Sequence, residues 1–184
     1  MAEFTPLTKK MNEIVSEAIT KFSQDYSFLS NFWVVPGGIC LPSSEVLPGQ
    51  EALLFPTVEH AYVAAKSLNP EERCAVASIP TPGKAKRFGV QIDVRPDWDT
   101  VKIPMMKSLL TQKFAVGTLL AEQLISTGEA ELVEGNNWCD VFWGRCECPE
   151  HCPTGIVAEA PGANLLGVIL MAQRTLLKLE RVTK

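Results

Sequence analysis

The stretch Phe55-Pro56-Thr57-Val58-Glu59-His60-Ala61-Tyr62-Val63-Ala64-Ala65-Lys66 constrains this chain more than any other. Pro56 ends an apolar, strand-like run, and Thr57 offers an oxygen to cap the open N–H groups of a helix that starts just after it. Glu59 and Lys66 stand seven residues apart, which sets them almost above one another on one stripe, with Tyr62 and Val63 between them. If that stripe lines a closed pocket, it holds a proton donor or acceptor beside an amine that can act as nucleophile. If it faces solvent, it is an ordinary exposed pair. The stretch alone leaves both open.

With 184 residues and 46% hydrophobic content, the chain can bury a real core, and one domain over residues 1–184 is expected. A net charge of −4 argues against a protein that grips nucleic acid through a broad basic surface. A local phosphate site needs only a few Arg, Lys and backbone N–H groups and stays open. The N-terminus lacks the apolar core of a signal peptide, and no segment approaches the length of a membrane span. A cytoplasmic location is therefore expected, with the six cysteines as reduced thiols or metal ligands rather than disulfides.

Met11, Ile14, Val15, Ala18, Ile19 and Phe22 recur at helical spacing, which predicts an amphipathic packing helix over residues 1–21. Phe22 to Trp33 mixes aromatic and polar residues without a period. Such a loop either grips a flat ligand or is pinned to the core by its own rings. Trp33 to Val35, Ile39 to Leu41 and Ala52 to Phe55 read as short strands of a small antiparallel sheet, split by Pro36-Gly37-Gly38 and by Pro42 to Gln50. Asn69-Pro70-Glu71-Glu72 and Thr81-Pro82-Gly83 are helix starts. The second opens a short basic helix, and its Lys84, Lys86 and Arg87 are expected to meet water rather than phosphate.

A helix capped by Asp97 or Asp99 passes Trp98, Val101, Met105, Leu109 and Phe114, and Pro104 is expected to kink it or confine it to a first turn. Thr118 to Ser126 forms a short helix stopped at Gly128, and Glu131 to Glu134 is strand-like. Gly135 to Gly144 is a loop of amides and aromatics with one acid, Asp140. Ala163 to Arg181 is an apolar C-terminal helix with Arg174 well inside it. Three thiols and an imidazole crowd into residues 146–152. Cys146, Cys148, His151 and Cys152 are candidates for a closed structural zinc site. The usual signature separates its ligand pairs, so a thiol-bearing surface insertion over residues 145–161 is the alternative. No cofactor is expected in the chemistry itself.

Several blocks, taken in chain order, resemble the NADAR family (NAD- and ADP-ribose-associated, YbiA-like). They are Phe28-Leu29-Ser30-Asn31-Phe32, then Phe55 to Tyr62 with Lys66, then Trp98 with Val101 and Lys113-Phe114. Leu132-Val133-Glu134, Asp140-Val141-Phe142-Trp143-Gly144 and Asn164-Leu165-Leu166-Gly167 with Arg174 complete the series. The resemblance implies an α+β fold, a compact and mainly helical single domain with a small antiparallel sheet, that cleaves N-glycosidic bonds. Known substrates of the family are phosphoribosyl-amine pyrimidines of riboflavin synthesis in some members and ADP-ribose attached to guanine in others.

By the same resemblance Glu59 and Lys66 are the catalytic pair, Lys66 as Schiff-base nucleophile and Glu59 as general acid/base. Asn31, Trp98, Asp140, Trp143 and Asn164 match pocket positions, and Phe28 and Ser30 join them from the same blocks. The backbone at Gly144 and the side chain of Arg174 are phosphate contacts, with a core ion pair the equal alternative for Arg174. The implied partners are an ADP-ribosylated guanine base or nucleotide, the ADP-ribose product, and at most a nucleic-acid end. A riboflavin-pathway phosphoribosyl-amine, or nucleotide binding without cleavage, is the alternative. The cysteine-rich insertion and a long segment from Pro36 to Gln50 depart from the family pattern.

Overall fold

Pro56 and Thr57 end strand β2 (Leu54–Thr57), and Thr57 caps helix α1 (Val58–Ala65), its Oγ1 accepting from the His60 N–H at 3.2 Å. The computed structural model describes residues 18–46, 52–150 and 160–183. His60 is fully buried, with Nε2 3.0 Å from the Ile79 carbonyl and Nδ1 2.7 Å from the Thr57 hydroxyl. The carbonyl can only accept, so the proton sits on Nε2 and Thr57 donates to Nδ1. Burial also pushes the imidazole pKa down, which keeps this neutral form and makes His60 a strut of the helix start.

Strand β1 (Val34–Cys40) pairs antiparallel with β2, matching Val34 to Thr57 and Ile39 to Phe55. Pro36-Gly37-Gly38 therefore does not split the strand as expected. Gly37 and Gly38 take φ of +82° and +77°, and this glycine-only backbone absorbs the irregular register between Val34 and Ile39. Helices α2 (Pro70–Ala77) and α3 (Pro82–Phe88) start at the predicted caps, Asn69 and Thr81. Helix α4 (Trp98–Lys113) carries Pro104 inside it without a break. Pro104 and Thr100, whose carbonyl loses its partner, both face solvent, so the missing bond strands no buried group. Asp97 stands at the cap position, yet its carboxylate accepts from Arg95 instead.

Helix α5 (Leu119–Ser126) is capped by Thr118, and helix α6 (Leu165–Val182) closes the chain. Most of the predicted helix over residues 1–21 lies outside the described residues, and the part that is described is not helical. Ile19 donates its N–H to the Glu131 carbonyl and accepts from the Val133 N–H, both at 2.8 Å, forming a parallel bridge to Leu132. With both main-chain groups spent across the chain, no helical bond is left for Ile19. This bridge is also all that becomes of the strand expected at Glu131 to Glu134. Just beyond it, β3 (Gly135–Asn136) pairs parallel with β4 (Arg145–Cys146).

The result is a mainly helical α+β fold packed around α1, whose Val58, Ala61, Ala64 and Ala65 are fully buried among Leu29, Phe55, Leu109 and Phe114. Among the described residues no helix is long and apolar enough to cross a membrane.

Candidate active site

The helical repeat puts Glu59, Tyr62 and Lys66 on one stripe of α1, and Trp98, Lys102 and Met106 on one stripe of α4. The two stripes, the loop at residues 30–32 and the loop at residues 134–143 enclose a cavity of about 960 Å³. The end of α1 is clamped there. Glu45 Oε2 holds Arg73 at 3.1 Å and Arg95 at 2.6 Å. Arg95 donates its N–H to the Lys66 carbonyl at 2.8 Å, and Arg73 Nε donates to the Ser67 carbonyl at 2.8 Å.

Burial is the largest influence on the ionisation of this pair. It pushes the Glu59 carboxyl above its usual range, with Asp140 adding to the rise and Lys86 and Lys66 opposing it. It pushes the Lys66 amine below its usual range, with Glu59 opposing and Lys86 assisting. The two shifts support each other: a protonated carboxyl no longer holds its neighbour as an ammonium. Two groups without a sequence-based assignment stand in or behind the cavity wall. Glu134 lines the cavity and is pushed up to about 7, by burial first and then by Asp140 and Glu59 against Lys86 and Lys113. Lys113, only 1% exposed, donates from Nζ to the Ser30 carbonyl at 2.7 Å, and burial lowers it to about 7. A lysine in the last turn of a helix reads as a solvated partner of the helix dipole, so nothing local marked it.

The walls are aromatic. The ring of Tyr62 lies 5.0 Å from that of Trp98 and 5.6 Å, edge-on, from that of Trp143, which meets Phe142 edge-on at 4.9 Å. Asp140 builds the turn that carries Trp143, with Oδ1 accepting from the N–H groups of Phe142 (3.1 Å) and Trp143 (2.8 Å). Buried Asn136 staples the loop, its amide bonding both the N–H and the carbonyl of Asp140. Asn31 accepts the Glu59 N–H on its carbonyl at 3.0 Å and touches the Met106 thioether through Nδ2. Its Oδ1 is buried without a partner. Such an acceptor beside a cavity suits a ligand hydroxyl or N–H.

Of the sequence-predicted residues, Glu59, Lys66, Ser30, Asn31, Trp98, Asp140 and Trp143 come together on the cavity, while Phe28, Gly144, Asn164 and Arg174 do not. Phe28 is packed into the core. Gly144 lies against the Glu134 carbonyl, where any side chain would collide. Asn164, in the left-handed region at φ +48°, sits behind the wall. It donates to the Leu132 carbonyl at 2.9 Å and accepts from the Glu134 N–H at 3.0 Å. Arg174 is buried and donates to Thr127 Oγ1 at 2.7 Å and the Ala130 carbonyl at 3.0 Å, so it points away from the cavity, and among the described residues it forms no salt bridge. Its replacement by Ala should cost about 3 kcal/mol in denaturant melts and leave KM unchanged.

Lys86 and Arg87 are exposed, as expected, but they also line the cavity, with Lys86 over the Trp138 ring at 4.9 Å. The predicted thiol cluster is partly seen. Cys146 and Cys148 are joined by Cys139, which lies outside the run of candidates at 146–152, while His151 and Cys152 lie outside the described residues.

Residues 18–178 match the sequence model of the NADAR domain family. The chain is 27% identical over 178 residues to the N-glycosidase YbiA of Escherichia coli, covering 94% of this chain and 97% of that protein. It is 32% identical over 159 residues to an N-glycosidase of Nostoc punctiforme, covering 84% and 87%. It is 28% identical over 191 residues to the chloroplastic riboflavin biosynthesis protein PYRR of Zea mays, covering 94% of this chain and 29% of that protein. The NMR structure of Escherichia coli YbiA superposes with a TM-score of 0.65 at 26% identity, over 93% of this chain and 94% of that one.

Proposed function

The chain belongs to the NADAR domain family, and from that premise we propose that it is an N-glycosidase, hydrolysing the bond between C1 of a ribose and the nitrogen of a base or amine. One observation carries the proposal. Glu59 and Lys66, on one stripe facing one cavity, are both pushed toward their neutral forms by the same burial. In the first step Glu59 gives its proton to the departing nitrogen as the C1–N bond breaks with its electron pair going to the base. The Lys66 lone pair bonds to C1, and the proton released from the amine returns to the Glu59 carboxylate. Ring opening turns the adduct into a Schiff base. Water then adds to C1, the C1–Lys66 bond breaks, and free sugar and free amine result.

The substrate we favour is ADP-ribose attached to guanine, either as a nucleotide or at a nucleic-acid end. Lys21, Lys86, Arg87 and Lys102 stand round the cavity, a cation set suited to a diphosphate, while Glu59, Glu134 and Asp140 supply acids for the ribose and the bond that breaks. Trp98 and Trp143 offer flat faces to the base. The size of the cavity also suits a ligand larger than a mononucleotide. A phosphoribosyl-amine pyrimidine is the second reading, favoured by the match to a relative named for riboflavin biosynthesis. Incubation with each compound, reading released base by mass, separates the two. Release of guanine from the ADP-ribosyl compound is expected, and release from the phosphoribosyl-amine alone would replace it with the second reading. Ligand recovered intact from both would remove the glycosidase proposal.

Glu134 is assigned to hold the second proton near the leaving base. Its pKa is raised to about 7, so it is protonated below that pH and charged above it. Turnover should therefore fall as pH rises through about 7. In Glu134→Gln the part of the fall set by Glu134 should vanish from the pH profile of kcat/KM, leaving the fall set by Glu59 and the rising limb set by Lys66.

A further inference from the structure

The Sγ atoms of Cys139, Cys146 and Cys148 all lie within 4.8 Å of one another, with Cys146 and Cys148 2.9 Å apart and Cys139 3.6 Å from Cys148. Cys146 and Cys148 are buried, and Cys139 reaches them from the loop across, from a backbone φ of +64° that non-glycine residues rarely adopt. From this convergence we infer that Cys139, Cys146 and Cys148 bind one zinc ion. Soft sulfur donors select zinc among divalent cations, and zinc needs no redox partner. Zn–S bonds of about 2.3 Å in a tetrahedron set sulfurs about 3.8 Å apart, so the observed set needs shifts well under the length of a bond. His151 and Cys152 lie outside the described residues and are not counted in the site.

The three thiolates fill three of the four tetrahedral positions, and the effect of the ion is to order this loop. Cys139 follows Trp138 and precedes Asp140, and Glu147 lies between the other two thiols; Trp138, Asp140 and Glu147 all line the cavity. Around the cluster, β3 and β4 pair over two residues each, Asn136 bonds Asp140 and the Arg145 carbonyl, and Glu147 donates its N–H to the Asn136 carbonyl at 2.6 Å. A two-stranded sheet this short has little stability of its own, and a thiolate-bound ion bridging its flanks supplies what it lacks. The inference does not depend on the glycosidase reading.

The full chain, purified after growth with zinc and without chelator, should carry one zinc per chain by elemental analysis. Cys148→Ser and Cys139→Ser should each hold less than about a tenth of that, whereas Cys74→Ser, on α2 and away from the cluster, should keep all of it. Cobalt exchanged into the parent should show sulfur-to-cobalt charge transfer, weaker in Cys139→Ser than in the parent, a readout that does not need activity. A folding defect is separated by far-UV circular dichroism: a folded Cys148→Ser chain without metal supports the site. Parent protein without zinc, zinc retained in Cys148→Ser, or another metal bound in its place would overturn it.

Discussion

Lys66→Ala should turn over substrate on the order of 10⁴-fold more slowly than the parent or worse, because losing the nucleophile removes a whole covalent path rather than one contact. The same variant should be no less stable near neutral pH. Burial lowers the folded-state pKa of Lys66, so its contribution to stability is full above the unfolded value and is lost as pH falls; at neutral pH the parent bears that deficit and Ala does not. Lys66→Arg separates chemistry from charge. A guanidinium keeps the cation but never presents a free lone pair, so it should be as inactive as Ala. If Lys66 served only to bind phosphate or to screen Glu59, Arg would restore much of the rate. Glu59→Gln should cost less, about 10²–10⁴-fold, since water or Glu134 can deliver a proton poorly in its place.

Asn164→Ala should be the most destabilising change at a residue expected in the pocket and found behind it. Ala leaves the Leu132 carbonyl and the Glu134 N–H without partners, at about 1–3 kcal/mol. The left-handed backbone at φ +48° adds about 1–2 kcal/mol for a residue with a Cβ and no polar side chain. Asn164→Gly keeps the first loss and escapes the second, so its denaturation midpoint should lie between Ala and the parent. Both variants release Glu134 from its anchor. The falling limb near pH 7 should shift or flatten in each, which a merely stabilising asparagine would not bring about. Equal midpoints for Ala and Gly would mean that the backbone is not held left-handed.

What could be read from the sequence was local chemistry. Thr57, Asn69, Thr81 and Thr118 cap helices where their neighbours place them, because a cap is decided within four residues. The Glu59–Lys66 stripe was equally plain, but whether it faced water depended on α4 and on the loop carrying Trp143, which lie far along the chain. Ile19 misled for the same reason: its helical spacing is real, yet the Leu132 segment takes its backbone groups. Pro104 was read by the rule for buried helices, whereas here it faces solvent. Glu134 and Lys113 fell within the blocks that resemble the family, yet neither they nor Cys139 could be given a role, since their surroundings come from residues distant in the chain. Arg174 shows the limit of a positional match, which placed its backbone on the right helix but not its guanidinium at the cavity.

The central claim is that the amine of Lys66 bonds to C1 of the sugar, and borohydride added during turnover tests it most directly. With an ADP-ribosylated guanine nucleotide as substrate, the parent should release guanine and carry the reduced sugar adduct on the peptide containing Lys66, and Lys66→Arg should carry none. Steady guanine release by the parent, with that peptide recovered at its unmodified mass, would contradict the covalent path.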